Sequence, residues 1–152
     1  MPTHLQIIAL DKIAYEDDVD IVVLPGEEGQ LGVLPRHARI VTLLEPGEVL
    51  TRKSGEETSL VISGGFAQIG PDSVTILSDA AEYAEDIDMD RAEVARRRAQ
   101  ERLTNRQAIP DLDMARVESA LLRSLTRLRV AERVAARRRR QAPGGQPPRQ
   151  EN

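Results

Sequence analysis

Cysteine is absent from this chain, tryptophan is absent too, and the aromatic side chains come down to Tyr15, Phe66 and Tyr83. Without thiols there is no disulfide framework, no thiolate metal centre and no cysteine nucleophile, a composition that suits a reducing compartment. With so few rings, the core has to be built from Val, Ile, Leu and Ala. His4 and His37 are the only imidazoles. There is no His-Glu-x-x-His pair and no Gly-x-Ser-x-Gly elbow, and no glycine cluster runs into a Lys-Ser/Thr pair, so a metal site, an acyl-transfer triad and a phosphate loop all lack support. No apolar run approaches the roughly 20 residues that span a bilayer. Residues 1–10 also lack the basic start and long apolar stretch of a signal peptide. The expectation is a soluble cytoplasmic protein, with 152 residues the size of one domain or of one small domain plus an appendage.

What the chain has is segregated charge. Up to Asp88 there are 17 acidic and 5 basic residues, and from Met89 onward 8 acidic and 16 basic. The acidic half carries short Val/Ile/Leu-rich runs at 5–10, 19–24, 40–44, 48–52, 59–63, 66–69 and 74–77. Turn pairs separate them: Pro25-Gly26, Pro46-Gly47, Ser54-Gly55, Gly64-Gly65 and Gly70-Pro71-Asp72. Strands at that spacing predict a flattened antiparallel β-sandwich or barrel over residues 1–84. The adjacent carboxylates Asp17-Asp18, Glu27-Glu28 and Glu56-Glu57 read as solvated edges, because adjacency in loops does not make a catalytic dyad.

The basic half has helical spacing. Asp86, Asp88 and Asp90 offer an N-cap and first-turn negative charge, followed by Ala92, Ala95, Ala99 and Leu103. Pro110 ends that helix, and Asp111 or Asp113 caps a second one, with Val117, Leu121, Leu125, Leu128, Ala131 and Ala135 on one face. Together they predict an antiparallel helical hairpin over residues 85–138, so the fold class is α+β, mainly β. Alanine on the facing stripe buries little area, at about 25 cal/mol per Å² of apolar surface, and the hairpin is expected to be weakly held and mobile. Arg137-Arg138-Arg139-Arg140 has no aromatic interleaving for base stacking and reads as a solvated helix end rather than a nucleic-acid patch. Residues 139–152, rich in Arg, Pro and Gly, read as a disordered tail.

The block Leu24-Pro25-Gly26-Glu27-Glu28-Gly29-Gln30-Leu31-Gly32-Val33-Leu34-Pro35-Arg36-His37-Ala38 closely resembles the epsilon subunits of F-type ATP synthases. So do Leu44-Glu45-Pro46-Gly47, Ser63-Gly64-Gly65-Phe66, Val74-Thr75-Ile76-Leu77-Ser78-Asp79-Ala80-Ala81-Glu82 and Leu128-Arg129-Val130-Ala131-Glu132. The resemblance spans residues 3–135 and implies a ten-stranded β-sandwich followed by a helical hairpin. It also implies a non-catalytic rotor subunit, peripheral on the cytoplasmic face of the cell inner membrane and attached to it through the complex. Its partners would be the gamma subunit, the c-subunit ring and the catalytic alpha/beta head, with no nucleic acid, metal or obligatory cofactor. By similarity Glu27, Glu28, Gln30 and Leu31 face the ring and His37 faces gamma. His37 also reads as a turn residue satisfied within its own chain. Many relatives have glycine and proline around the His-Ala pair, where this chain has Arg36 and Arg39.

The hairpin resembles the family's regulatory arm, which folds against the sandwich or extends into the catalytic head and restrains ATP hydrolysis. Ile87-Asp88-Met89-Asp90-Arg91-Ala92 fits the signature of members that bind ATP as a regulator. The matching site residues are Glu82, Ile87, Asp88, Arg91, Ala92, Arg98, Arg123 and Arg127. Asp88 equally reads as a plain helix cap. The alternative from another class is an independent nucleotide-binding sensor outside any large assembly.

Overall fold

The computed structural model describes residues 1–10, 12–105 and 111–142, the side chains of 111 and 112 excepted. The expectations placed on Pro110 and on residues 143–152 lie outside them. Eight strands form one sheet: β1 (Thr3–Ala9), β2 (Lys12–Val19), β3 (Ile21–Gly26), β4 (Gly29–Val33), β5 (Ile40–Lys53), β6 (Glu56–Ile69), β7 (Ser73–Ser78) and β8 (Ala81–Tyr83). A short 3-10 turn, Ala84–Asp86, leads to α1 (Met89–Thr104) and α2 (Asp111–Gln141). The strand order is β2-β1-β7-β6-β5-β3-β4, with β8 on β6, so the sheet stays open with β2 and β4 at its edges.

Against the ten strands expected, the described residues form eight, because the expected breaks at Pro46-Gly47 and Gly64-Gly65 lie inside β5 and β6. Leu44 pairs with Gly65 and Pro46 with Ser63, so the ladder continues through both. The first part of β5 and the last part of β6 join β7, β1 and β2 in one layer; their other parts join β3, β4 and β8 in a second. Each long strand therefore serves both layers, and counting it twice recovers ten. Gly64 and Gly65 have φ of 96° and 130°, a region side chains resist. A Cβ on Gly65 would sit 1.9 Å from the Leu77 carbonyl oxygen. One pair departs from the antiparallel rule, since β1 lies parallel to β7.

Between the layers lies an aliphatic core of Leu5, Ile7, Val19, Val22, Leu24, Val33, Leu44, Val49, Leu60, Ile62, Ala67, Ile69, Val74 and Ile76. Every member precedes residue 84. Tyr15 and Tyr83 close one side of it edge to face, with centroids 6.3 Å apart. On the outer edge, His4 donates to Asp18 at 2.8 Å and also contacts Glu16, and these hydrogen bonds raise its pKa above the ordinary value. Lys53 donates to Asp17 at 2.5 Å, which holds that carboxyl below its usual range.

The helices run antiparallel: Ala92 of α1 packs with Leu128 and Ala131 of α2, while Ala95 lies opposite Ala120 and Ser124. The expected stripe on α2 holds at Val117, Leu128 and Ala131, but Leu125 is exposed and Ser124, Thr126 and Val130 are buried instead. Ser124 belongs to the α1-facing stripe beside Ala95, whereas Val130 is buried by a second contact, with the sandwich, on an adjoining face of the same helix. Helix α2 also continues to Gln141, three residues past the expected end of the hairpin.

Gly65→Ala should cost about 2–4 kcal/mol, from the left-handed φ and the clash with Leu77 together; the urea midpoint of the full chain measures it. A cost below about 0.5 kcal/mol would mean that the bend tolerates a side chain.

Candidate functional site

The two layers present two outer faces, among the described residues one covered and one bare. On the second layer the cross-strand row Glu48–Val61–Glu82 points outward, Glu48 pairing with Val61 on β6 and Val61 with Glu82 on β8. Helix α2 lies over this row with Arg127, Val130, Val134 and Arg137 at spacings of three and four, which places them on one helix face. Val130 and Val134 pack with Val61, Ala84 and Ile87. At one end Arg127 makes a two-point ion pair with Glu82, its Nη2 donating at 3.2 Å. At the other, Arg133 and Arg137 both donate to Glu48, at 3.1 and 2.6 Å, and Arg138 pairs with Glu85. The solvated helix end expected at 137–140 is thus corrected at Arg137, whose side chain reaches the sandwich carboxylate Glu48, while Arg138 stays exposed as it pairs with Glu85 of the 3-10 turn.

A cavity of about 470 Å³ remains between hairpin and sandwich, lined by Glu82, Ala95, Arg123, Ser124, Thr126 and Arg127 together with Pro46, 61–63, Ala80, Ala81 and Ala120. Of the eight residues matched to a nucleotide site, Glu82, Arg123 and Arg127 meet there. Ile87 and Ala92 are buried in the apolar cluster under α2. Asp88 caps α1, accepting from the Arg91 N–H at 3.0 Å. Arg91 and Arg98 are exposed on α1 and do not line the cavity. Farther along α1, Arg96 donates to Glu93 and holds that carboxyl below its ordinary range.

The bare face belongs to the first layer. Leu43, Phe66, Leu77, Ile8 and Ile13 are register partners across five consecutive strands. Leu43, Phe66, Leu77 and Ile13 are 46%, 53%, 52% and 53% exposed, with Val41 and Leu10 exposed nearby along the chain. Four of the five side chains stand in water and Ile8 is half-buried beside them, an apolar row of the kind that marks interaction surfaces. Sequence reasoning missed this row, although the runs holding four of its members had been read as strands. Its signal was positional, a residue of outward parity in each strand, and needed the register to be seen.

His37 is half-buried before β5, and its Nδ1 donates to the Ala38 carbonyl at 2.7 Å. Arg36, at φ 65°, donates its N–H to the Pro71 carbonyl. Glu27 and Glu28 are the exposed tip of the β3–β4 hairpin, closed by the Gly26–Gly29 pair; Gln30 is exposed and Leu31 leans on the core. Among the described residues no cluster of three or more His, Cys, Asp or Glu could hold a metal, and no helix is long and apolar enough to cross a membrane.

Two family models match the chain. The ATP synthase delta/epsilon chain beta-sandwich domain covers residues 2–84, and the long alpha-helix domain of the same chain covers 85–132. The chain belongs to the ATP synthase delta/epsilon family. Within it, an ATP synthase epsilon chain of Chloroflexus aggregans is 44% identical over 91% of this chain and 99% of its own length. One from Herpetosiphon aurantiacus is also 44% identical, over 87% and 96%. Among solved structures, a chain of the Euglena gracilis mitochondrial ATP synthase, in an assembly of OSCP, F1 and c-ring, superposes with a TM-score of 0.64. It is 25% identical, over 90% of this chain and 81% of that one. In this delta/epsilon chain the sandwich and the hairpin are the two halves that the family models describe.

Replacing Asp88 by Ala removes the cap of α1 and should destabilise the hairpin by about 1 kcal/mol. Amide exchange in the first turn of α1 should accelerate accordingly while the core strands keep their protection; unchanged exchange there would deny the cap its role.

Proposed function

We propose that this chain is a non-catalytic rotor subunit in the central stalk of a proton-transporting ATP synthase. It couples proton flow to ATP synthesis and restrains ATP hydrolysis through its helical arm. The carrying observation is that one outer face of the sandwich is bare and apolar while the other holds the arm by arginine–carboxylate pairs. The bare row of Leu43, Phe66 and Leu77 suits gamma, a permanent partner, because apolar burial is favoured wherever the partner stays. The exposed Glu27–Glu28 tip suits the c-ring. A likeness to a chain from an assembly of F1 and c-ring supports a place in such an assembly. The subunit would sit peripherally on the cytoplasmic face of the inner membrane, held there through the complex.

The arm is suited to switching. Its contact with the sandwich combines a small aliphatic patch with ion pairs, and an acidic interface in the catalytic head can compete for the same arginines. ATP is the regulatory ligand of this reading. The cavity falls within the range of ligand pockets, about 300–1,000 Å³, and offers small apolar walls with two guanidiniums, while Arg91 and Arg98 would have to join it by a movement of α1.

Deleting residues 88–152 should leave a folded sandwich, since the inner core ends before residue 84, and should raise ATP hydrolysis by the reconstituted complex without uncoupling synthesis. Phe66→Asp should weaken gamma binding at least about tenfold, as loss of a central anchor does. Unchanged hydrolysis in the deletion would reject the regulatory role, and unchanged gamma affinity would reject the apolar row as the docking face.

Calorimetry on the isolated chain should show ATP binding without hydrolysis, weakened about tenfold or more by Arg127→Ala, which removes a charge-assisted bond. No heat at millimolar ATP would remove the nucleotide from the scheme and leave the rotor assignment standing.

A further inference from the structure

We propose that Glu48 is the catch that holds the arm down, fixing the equilibrium between docked and released α2. This rests on the regulatory reading of the arm and names the group that sets it. Glu48 stands out among the sandwich carboxylates that meet α2 because its side chain is only 7% exposed. It accepts from Arg133 Nη1 at 3.1 Å, Arg137 Nη2 at 2.6 Å and Ser59 Oγ at 2.7 Å, and Arg137 also lies 3.9 Å from Glu57. By contrast the Arg138–Glu85 pair is 64% and 49% exposed. Exposed pairs are screened by salt and contribute little, whereas a partly buried pair is screened much less.

The chemistry gives Glu48 two states. With the arm docked, both carboxylate oxygens take guanidinium donors, and the burial is tolerated because they do. When α2 lifts away, the outward-facing carboxylate returns to water and Ser59 stays beside it on the sheet. A neutral amide at position 48 keeps the size but loses the charge assistance, leaving two guanidiniums under-paired in the docked state alone. Position matters as much as charge. Arg133 and Arg137 travel with the arm and meet whatever it meets when extended, but Glu48 stays on the sandwich, so changing it alters one side of the equilibrium only.

The chain has no cysteine, which allows a direct readout. Val61, buried beneath α2 beside Glu48, is replaced by Cys in the full chain, and the rate of its modification by a thiol reagent reports how often the arm lifts. Glu48→Gln, which reduces two charge-assisted bonds to neutral ones, should raise that rate at least about tenfold. Arg133→Gln with Arg137→Gln should raise it similarly and add little on top of Glu48→Gln, as partners in one contact do. Glu56→Gln, the same charge change at the exposed start of β6, should leave it alone. A rate in Glu48→Gln equal to that in Glu56→Gln, or full additivity with the arginine variants, overturns the catch. Hydrolysis by the reconstituted complex separates the two ideas. Faster thiol modification with lower hydrolysis supports both, and faster modification with unchanged hydrolysis keeps the catch and overturns the regulatory reading.

Discussion

The β5–β6 ladder passes through both layers of the sandwich, and everything else is placed by how it bends. Thirteen register pairs join the two strands, from Ile40 with Ile69 to Lys53 with Glu56. A ladder that long would carry all its side chains onto one flat sheet. Instead the backbone turns at Gly64 and Gly65 opposite Leu44 and Pro46, where positive φ and the close approach of the Leu77 carbonyl exclude a side chain. The bend folds the ladder back on itself, so Val49, Leu60 and Ile62 from one arm meet Ala67 and Ile69 from the other in a single core.

Alternation along the strands then decides what the outer faces carry. With Leu60 and Ile62 inward, Val61 must face out, and Glu48 and Glu82 face out with it in register. With Ala67 and Ile69 inward, Phe66 must face out, and Leu43 and Leu77 accompany it. The same parity rule thus yields a charged row with an apolar centre on one side and an apolar row on the other. Charge pairs can be exchanged for other charge pairs or for water at modest net cost, whereas an apolar row returned to water loses its stabilisation outright. The first kind of surface suits a contact that can be released and the second a contact that stays.

Much of this was legible along the chain. The aliphatic runs and turn pairs announced a small sheet, the alanine and leucine spacing announced two helices, and the blocks around Gly26 and Gly65 carried the family. Three strands were less visible. Strand β2, Lys12–Val19, is half charged, as a solvated edge allows; β4 is an edge strand with two glycines; β8 has only three residues. On α2 the apolar stripe at Val117, Leu128 and Ala131 was readable, but the adjoining stripe of Arg127, Val130, Val134 and Arg137 was not, since arginine at helical spacing looks the same whether it meets water or a carboxylate.

The candidate site divides in the same way. The sequence by itself determined which residues carry charge, which have helix-capping chemistry, and that neither thiol nor metal-motif chemistry is on offer, because these follow from side-chain identity and local spacing. It also determined the strand parity that keeps Glu48 apart from Val49 and Phe66 apart from Ala67. Tertiary structure alone decided that Glu48 and Glu82 frame Val61, that Arg127, Arg133 and Arg137 come to rest on them, and that Arg91 and Arg98 stand away from the cavity reached by Arg123 and Arg127. Those outcomes depend on cross-strand register and on the angle at which α2 crosses the sheet, which are long-range quantities set by the whole core and by no local segment of the chain.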